Sequence, residues 1–155
     1  MNRSNSPATI NFINGTYCHP VEDGWIENIN PADGTSLGRI ADSTEKDVEQ
    51  AVIAASNAQT QWGESTLEQR SRILSKIGDL IEENIESLAI AECEDSGKPI
   101  SRALAIEIPR AASNFHFFAN AITQFSSESH ESVGQNAINF TLRQPLGVVG
   151  CISPW

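Results

Sequence analysis

Basic side chains are scarce in this chain: 10 Lys and Arg stand against 20 Asp and Glu in 155 residues, a net charge of −10. Nucleic acids and anionic membrane surfaces are recognised by clustered Lys and Arg, so this balance argues against both as partners. No apolar run approaches the length needed to span a bilayer. Met1 to Thr9 lacks the apolar core of a secretion signal and reads as a short disordered lead. Cysteine is sparse as well. Cys18, Cys93 and Cys151 are odd in number and far apart, with no C-x-x-C pair and no His at metal-ligand spacing. That excludes a disulfide framework and fits free thiols in a reducing cytoplasm. The glycosylation sequons at Asn2, Asn14 and Asn139 are chance matches without a secretion signal. Internal repeats and low-complexity tracts are absent.

What is present suffices for one ordinary domain, with 39% hydrophobic residues. Ile10 to Cys18 alternates weakly around Asn14-Gly15, a strong hairpin signal. Trp25 to Ile29 and Ser36 to Ala41 are further short strands, separated by the turn chemistry of Asn30-Pro31-Ala32-Asp33-Gly34. The first forty residues thus predict a small antiparallel β unit.

Three helical segments follow. Ser43 or Thr44 caps the first, whose stripe is Val48, Ala51, Val52, Ala55, Ala58 and Trp62; Gly63 ends it. Ser65-Thr66-Leu67-Glu68 reads as a capping box from Ser65 to Glu68. The helix it opens carries Leu67, Leu74, Ile77, Ile81, Ile85 and Leu88 on one face. It runs to Ser96 with a break near Asn84, and Gly97 suits a left-handed C-cap before Pro99. The third begins near Ser101, where Pro109 either kinks it or opens a new helix. Its stripe is Ile108, Ala112, Phe115, Ala119 and Ile122, flanked by Phe118 and Phe125. Ser126 to Gln135 is a polar loop, Ala137 to Arg143 a strand, and Pro145-Leu146-Gly147 a turn. Val148 to Ile152 then has the continuous apolar character of a buried parallel strand, and it stops at Ser153-Pro154-Trp155.

Local chemistry is thin. Gly97-Lys98 fails as a phosphate loop, because Glu92 stands where a Gly is required and Pro99 where a Ser or Thr is. Glu92, Glu94 and Asp95 could hold a hard cation, but a solvated helix end explains them more simply. His116 is read as a packed helix histidine rather than a base. Cys151, mid-strand, shows no base partner for a nucleophilic role. Gly147 and Gly150 do not make a dinucleotide fingerprint.

The order of segments carries more. Phe12-Ile13-Asn14-Gly15 precedes Asn30-Pro31-Ala32-Asp33-Gly34. Next come Ala51-Val52 through Trp62, and then Glu68-Gln69-Arg70-Ser71-Arg72-Ile73-Leu74. Glu92-Cys93-Glu94-Asp95-Ser96-Gly97-Lys98-Pro99 leads to Phe115-His116-Phe117-Phe118-Ala119. The series closes on Arg143-Gln144-Pro145-Leu146-Gly147-Val148-Val149-Gly150 and Ile152-Ser153-Pro154-Trp155. Taken together, this resembles the N-terminal part of the NAD(P)-dependent aldehyde dehydrogenase superfamily, from about Ile10 to Trp155. Ile108-Pro109-Arg110 and the closing Ile-Ser-Pro-Trp look most like the muconic-semialdehyde type, with the betaine-aldehyde type second.

The resemblance implies an α/β fold, of which this chain holds the small β unit, three or more helices, the start of an oligomerisation arm and the first cofactor-domain strand. Its implied division is a lead at 1–9, the N-terminal part of the cofactor-binding domain at 10–136, the arm at 137–147 and the first strand of the cofactor sheet at 148–155. The implied reaction is oxidation of a small-molecule aldehyde, of semialdehyde type, through a Cys thioester, with NAD (NADP possible) as hydride acceptor. Ile152, Ser153, Pro154 and Trp155 match the segment lining the nicotinamide end of the cofactor. Asn28, Ile29 and Asp95 match a monovalent-cation site of some members. The family's catalytic Cys and Glu and its oxyanion Asn are expected beyond Trp155, so the chain alone is expected to be inactive. A homo-oligomer, dimer or tetramer, is implied for the full-length cytoplasmic enzyme. The competing expectation is a catalytically dead short product acting as a structural or pairing module.

Overall fold

The computed structural model describes residues 8–153. Asn14 and Gly15 both take left-handed backbone angles, φ 53° and 76°. A two-residue hairpin needs that conformation to match the twist of its strands. It joins β2 (Asn11–Ile13) to β3 (Thr16–Cys18), antiparallel with Phe12 opposite Tyr17. β4 (Trp25–Ile29) and β5 (Ser36–Ala41) also pair antiparallel, with a register shift at Asn28/Ile29. The β unit departs from the expected antiparallel arrangement in one respect. β1 (Ala8–Thr9) lies parallel to β5, with Ala8 opposite Arg39, and the β2–β3 hairpin forms a separate sheet. The last two residues of the expected disordered lead therefore sit in a strand; residues 1–7 lie outside the described residues.

α1 (Glu45–Gly63) starts at Thr44. Its third residue, Asp47, reaches back to accept hydrogen bonds from the Thr44 N–H at 2.9 Å and hydroxyl at 3.2 Å. α2 (Leu67–Glu83) is capped by Thr66 with Gln69, one residue later than the expected Ser65–Glu68 box. Ser65 instead accepts from Arg70 Nε at 2.9 Å, while Arg70 Nη2 donates to the Gly63 carbonyl at 2.7 Å. Arg70 thus ties the start of α2 to the end of α1. Asn84 breaks the helix where expected, and α3 (Ile85–Ser96) ends at Gly97 with φ 72°.

Beyond Pro99, a single turn, α4 (Ile100–Arg102), leads into a π-helical stretch Ala103–Glu107 and then α5 (Ile108–Gln124). Pro109 has no N–H to donate one turn back. The chain widens just before it, the Ile108 N–H bonding to the Ala103 carbonyl five residues earlier. Pro109 then occupies the first turn of α5, where a missing donor costs least.

The main packing is α2 against α5. It is close because small residues meet: Gly78 is buried on α2, and on α5 Ala112 is fully buried and Ala119 nearly so. Ala89 on α3 and Ala103 in the π-helical stretch are also fully buried. No large side chain among the described residues is completely buried. The α1 stripe is largely uncovered, with Val48, Val52 and Trp62 all exposed. The accessible surface is 12232 Å², against roughly 7,700 Å² for a compact monomer of this length. The expected helical faces are therefore formed, but the chain does not cover all of them.

Two expectations for the last thirty residues change. Part of the polar loop is a strand, β6 (Ser129–Ser132), paired antiparallel with β7 (Ala137–Phe140) through the 3-10 turn Val133–Gln135. β7 is also shorter than the Ala137–Arg143 expected. The Val148–Ile152 segment forms no strand, and Ile152 is 99% exposed. A strand is made by pairing, and no neighbouring strand is presented to it.

Candidate functional site

The helix end at Asp95–Lys98 meets the turn at Asn30–Gly34. Asn30 shapes that turn: its carbonyl accepts from the Gly34 N–H at 2.8 Å and its side-chain oxygen from the Ala32 N–H at 2.9 Å. Asp33 adds bonds from the Thr35 N–H and hydroxyl, at 2.9 and 2.7 Å, which hold its carboxyl below the ordinary range. The turn lies against Gly97, where an added Cβ would stand 2.9 Å from Pro31 Cγ. Above the turn, Asn28 Nδ2 donates to Asp95 Oδ1 at 3.0 Å. The structure thus joins Asn28 and Asp95 across 67 residues of sequence. Ile29 follows at the register shift, with its side chain exposed.

The acidic group at the end of α3 does not converge. Glu92 accepts from Lys98 Nζ at 2.6 Å, and Glu107 accepts from the same ammonium at 2.8 Å. Arg102 Nε adds 3.0 Å to Glu107. Donating to Glu107, and then to Glu92, raises Lys98 above the ordinary lysine value. Lys98, then Arg102, lowers Glu107 despite its partial burial. Glu92 thus already faces a fixed cation, while Asp95 faces an amide. Among the described residues, no three His, Cys, Asp or Glu side chains form a metal cage. Asn28 turns its amide N–H toward Asp95, so the contact between them is a hydrogen bond. The backbone carbonyls of Asn28 and Ile29 and the Asp95 carboxylate are hard oxygen donors, a type that suits alkali cations rather than transition metals.

The described residues do not fit a dinucleotide by themselves. Ile152 and Ser153 are exposed, and Pro154 and Trp155 lie outside the described residues. Gly147 and Gly150 have no other atoms near the position of an added Cβ, so they line no cradle. The three cysteines are free thiols, Cys18 and Cys93 half-buried and Cys151 exposed. No helix among the described residues is long and apolar enough to cross a membrane.

Two positioning residues were not singled out from the sequence. Asp47 is 3% exposed and joins three elements. Besides Thr44, it accepts from the Val21 N–H at 2.9 Å and from Asn11 Nδ2 at 3.2 Å. These bonds, the Thr44 N–H foremost, hold its carboxyl below the ordinary range against the opposing effect of burial. Thr44-x-x-Asp47, a capping-box pattern, was the available signal. The second is Gly78, buried on α2 beneath the His116 ring. His116 is packed at a helix crossing, as its surroundings in sequence suggested, with Asp79 Oδ1 and Glu82 Oε1 at 3.8 and 3.6 Å.

Residues 19–155 match the aldehyde dehydrogenase family. A long-chain-aldehyde dehydrogenase from Acinetobacter sp is 41% identical over 145 residues, covering 94% of this chain and 29% of that protein. A 2-hydroxymuconic semialdehyde dehydrogenase from Pseudomonas sp. (strain CF600) is 38% identical over 148 residues, covering 93% of this chain and 30% of that protein. The structure of P. syringae AldA, an indole-3-acetaldehyde dehydrogenase in complex with NAD+, superposes with a TM-score of 0.76 at 30% identity, over 78% of this chain and 25% of that one. This chain therefore spans less than a third of the length of these relatives. It belongs to the aldehyde dehydrogenase family and carries the N-terminal part of that fold.

Proposed function

We propose that this chain is the N-terminal part of an enzyme that oxidises an aldehyde of the semialdehyde class to a carboxylate. The overall change is RCHO + NAD+ + H2O giving RCOO−, NADH and two protons. The observation that carries the reading is the family match running from residue 19 through the closing Ile152-Ser153-Pro154-Trp155. The semialdehyde class rests on similarity to the 2-hydroxymuconic semialdehyde enzyme, and NAD on the cofactor bound by the AldA relative. NADP is the alternative acceptor. In this reading the thiol that forms the thioester, the carboxylate that activates water and the amide that steadies the oxyanion come from sequence beyond this chain.

This chain supplies scaffold and edges. Ile152 to Trp155 would line the nicotinamide end of the cofactor once a neighbouring strand pairs with the segment. Asn28, Ile29 and Asp95 would hold a monovalent cation at the junction of the β unit and α3. The β6–β7 hairpin, with Ile138 and Phe140 exposed, would pair subunits of a cytoplasmic dimer or tetramer.

The test is to express the complete reading frame and follow NADH formation with a muconic-type semialdehyde and with simple alkanals, using NAD and NADP separately. Turnover fastest with the semialdehyde and NAD is expected. Oxidation of no aldehyde with either nucleotide would overturn the enzyme reading.

The exposed β6–β7 hairpin is also compatible with a second reading, a catalytically dead pairing module. The codon after that for Trp155 separates the two. Asn, with a Cys-bearing motif far downstream, supports the enzyme; a stop codon supports the module.

A further inference from the structure

We draw no further inference here: the strongest candidate, the open groove between α1 and α2 lined by Trp62, Arg72, Ile73 and Lys76, is an unpartnered face, and nothing in the structure shows what covers it.

Discussion

The His116 ring of α5 lies directly over Gly78 of α2, so that a Cβ added at Gly78 would fall 2.7 Å from the imidazole. The two helices approach closely here because Gly78 presents no side chain and Ala112 and Ala119 flank the ring on α5. Replacing Gly78 with Ala sets two effects against each other. Helix propensity gains about 1 kcal/mol, while forcing the ring out of its place costs about 1–3 kcal/mol. Net destabilisation is expected, read as a lower denaturant midpoint. In a His116→Ala background the same substitution should become neutral or stabilising. Equal effects in both backgrounds would refute the contact.

Gly97 and Gly34 separate backbone strain from collision. Both are left-handed, at φ 72° and 74°, but only Gly97 has a neighbour, Pro31, in the way of a Cβ. Gly34→Ala should cost about 1–2 kcal/mol, the left-handed penalty alone. Gly97→Ala should cost more and should also disturb the Asn28–Asp95 contact beside it. Equal losses at the two positions would show that the turn is free to move off the helix end.

Asp47 couples stability to acid. Its folded carboxyl titrates below the ordinary aspartate value. Its contribution is therefore present above that ordinary value and lost as pH falls through the lowered one. Asp47→Asn should lower stability at neutral pH and flatten the acid limb of a stability profile. An acid limb as steep as that of the parent would contradict this role.

The Lys98 network acts between two limits. Glu107 is lowered, so its share is lost as pH falls through its folded value. Lys98 is raised, so its share is lost as pH rises through its folded value. Lys98→Met should weaken the α3–α4 junction across neutral pH and reduce the pH dependence at both extremes. Amide exchange at Gly97, Arg102 and Ala103, whose N–H groups are hydrogen-bonded at this junction, reports this directly; unchanged protection there would argue against the network.

The proposed cation site predicts an ion-specific effect in the complete enzyme. Potassium or sodium should raise the melting temperature relative to tetramethylammonium at equal ionic strength. Asp95→Asn should abolish that difference while leaving the general salt response intact. A difference that persists in the variant would remove Asp95 from the site.

The 155-residue chain by itself exposes Phe117, Phe118, Phe125 and Ile152. Strong binding of a hydrophobic dye, a broad melt and no NADH formation are expected of it. A sharp monomeric transition with little dye bound would show that these faces need no cover.

The sequence by itself determined the local turns, most of the helix ends and the family. Asn14-Gly15 specifies its hairpin because both residues tolerate left-handed angles. Thr44, Asn84 and Gly97 bound the helices because caps act within a single turn. The ordered motifs carried the family, since each needs only its own few residues to be recognised. Tertiary structure decided the rest. The meeting of Asn28 with Asp95, the reach of Asp47 to Val21 and the seat of His116 on Gly78 join residues far apart in sequence, where periodicity carries no signal. It also decided which apolar faces are covered and that Val148–Ile152 stays unpaired. A stripe or a strand pattern states what a segment can bury, but burial and pairing require a partner that the segment itself does not contain.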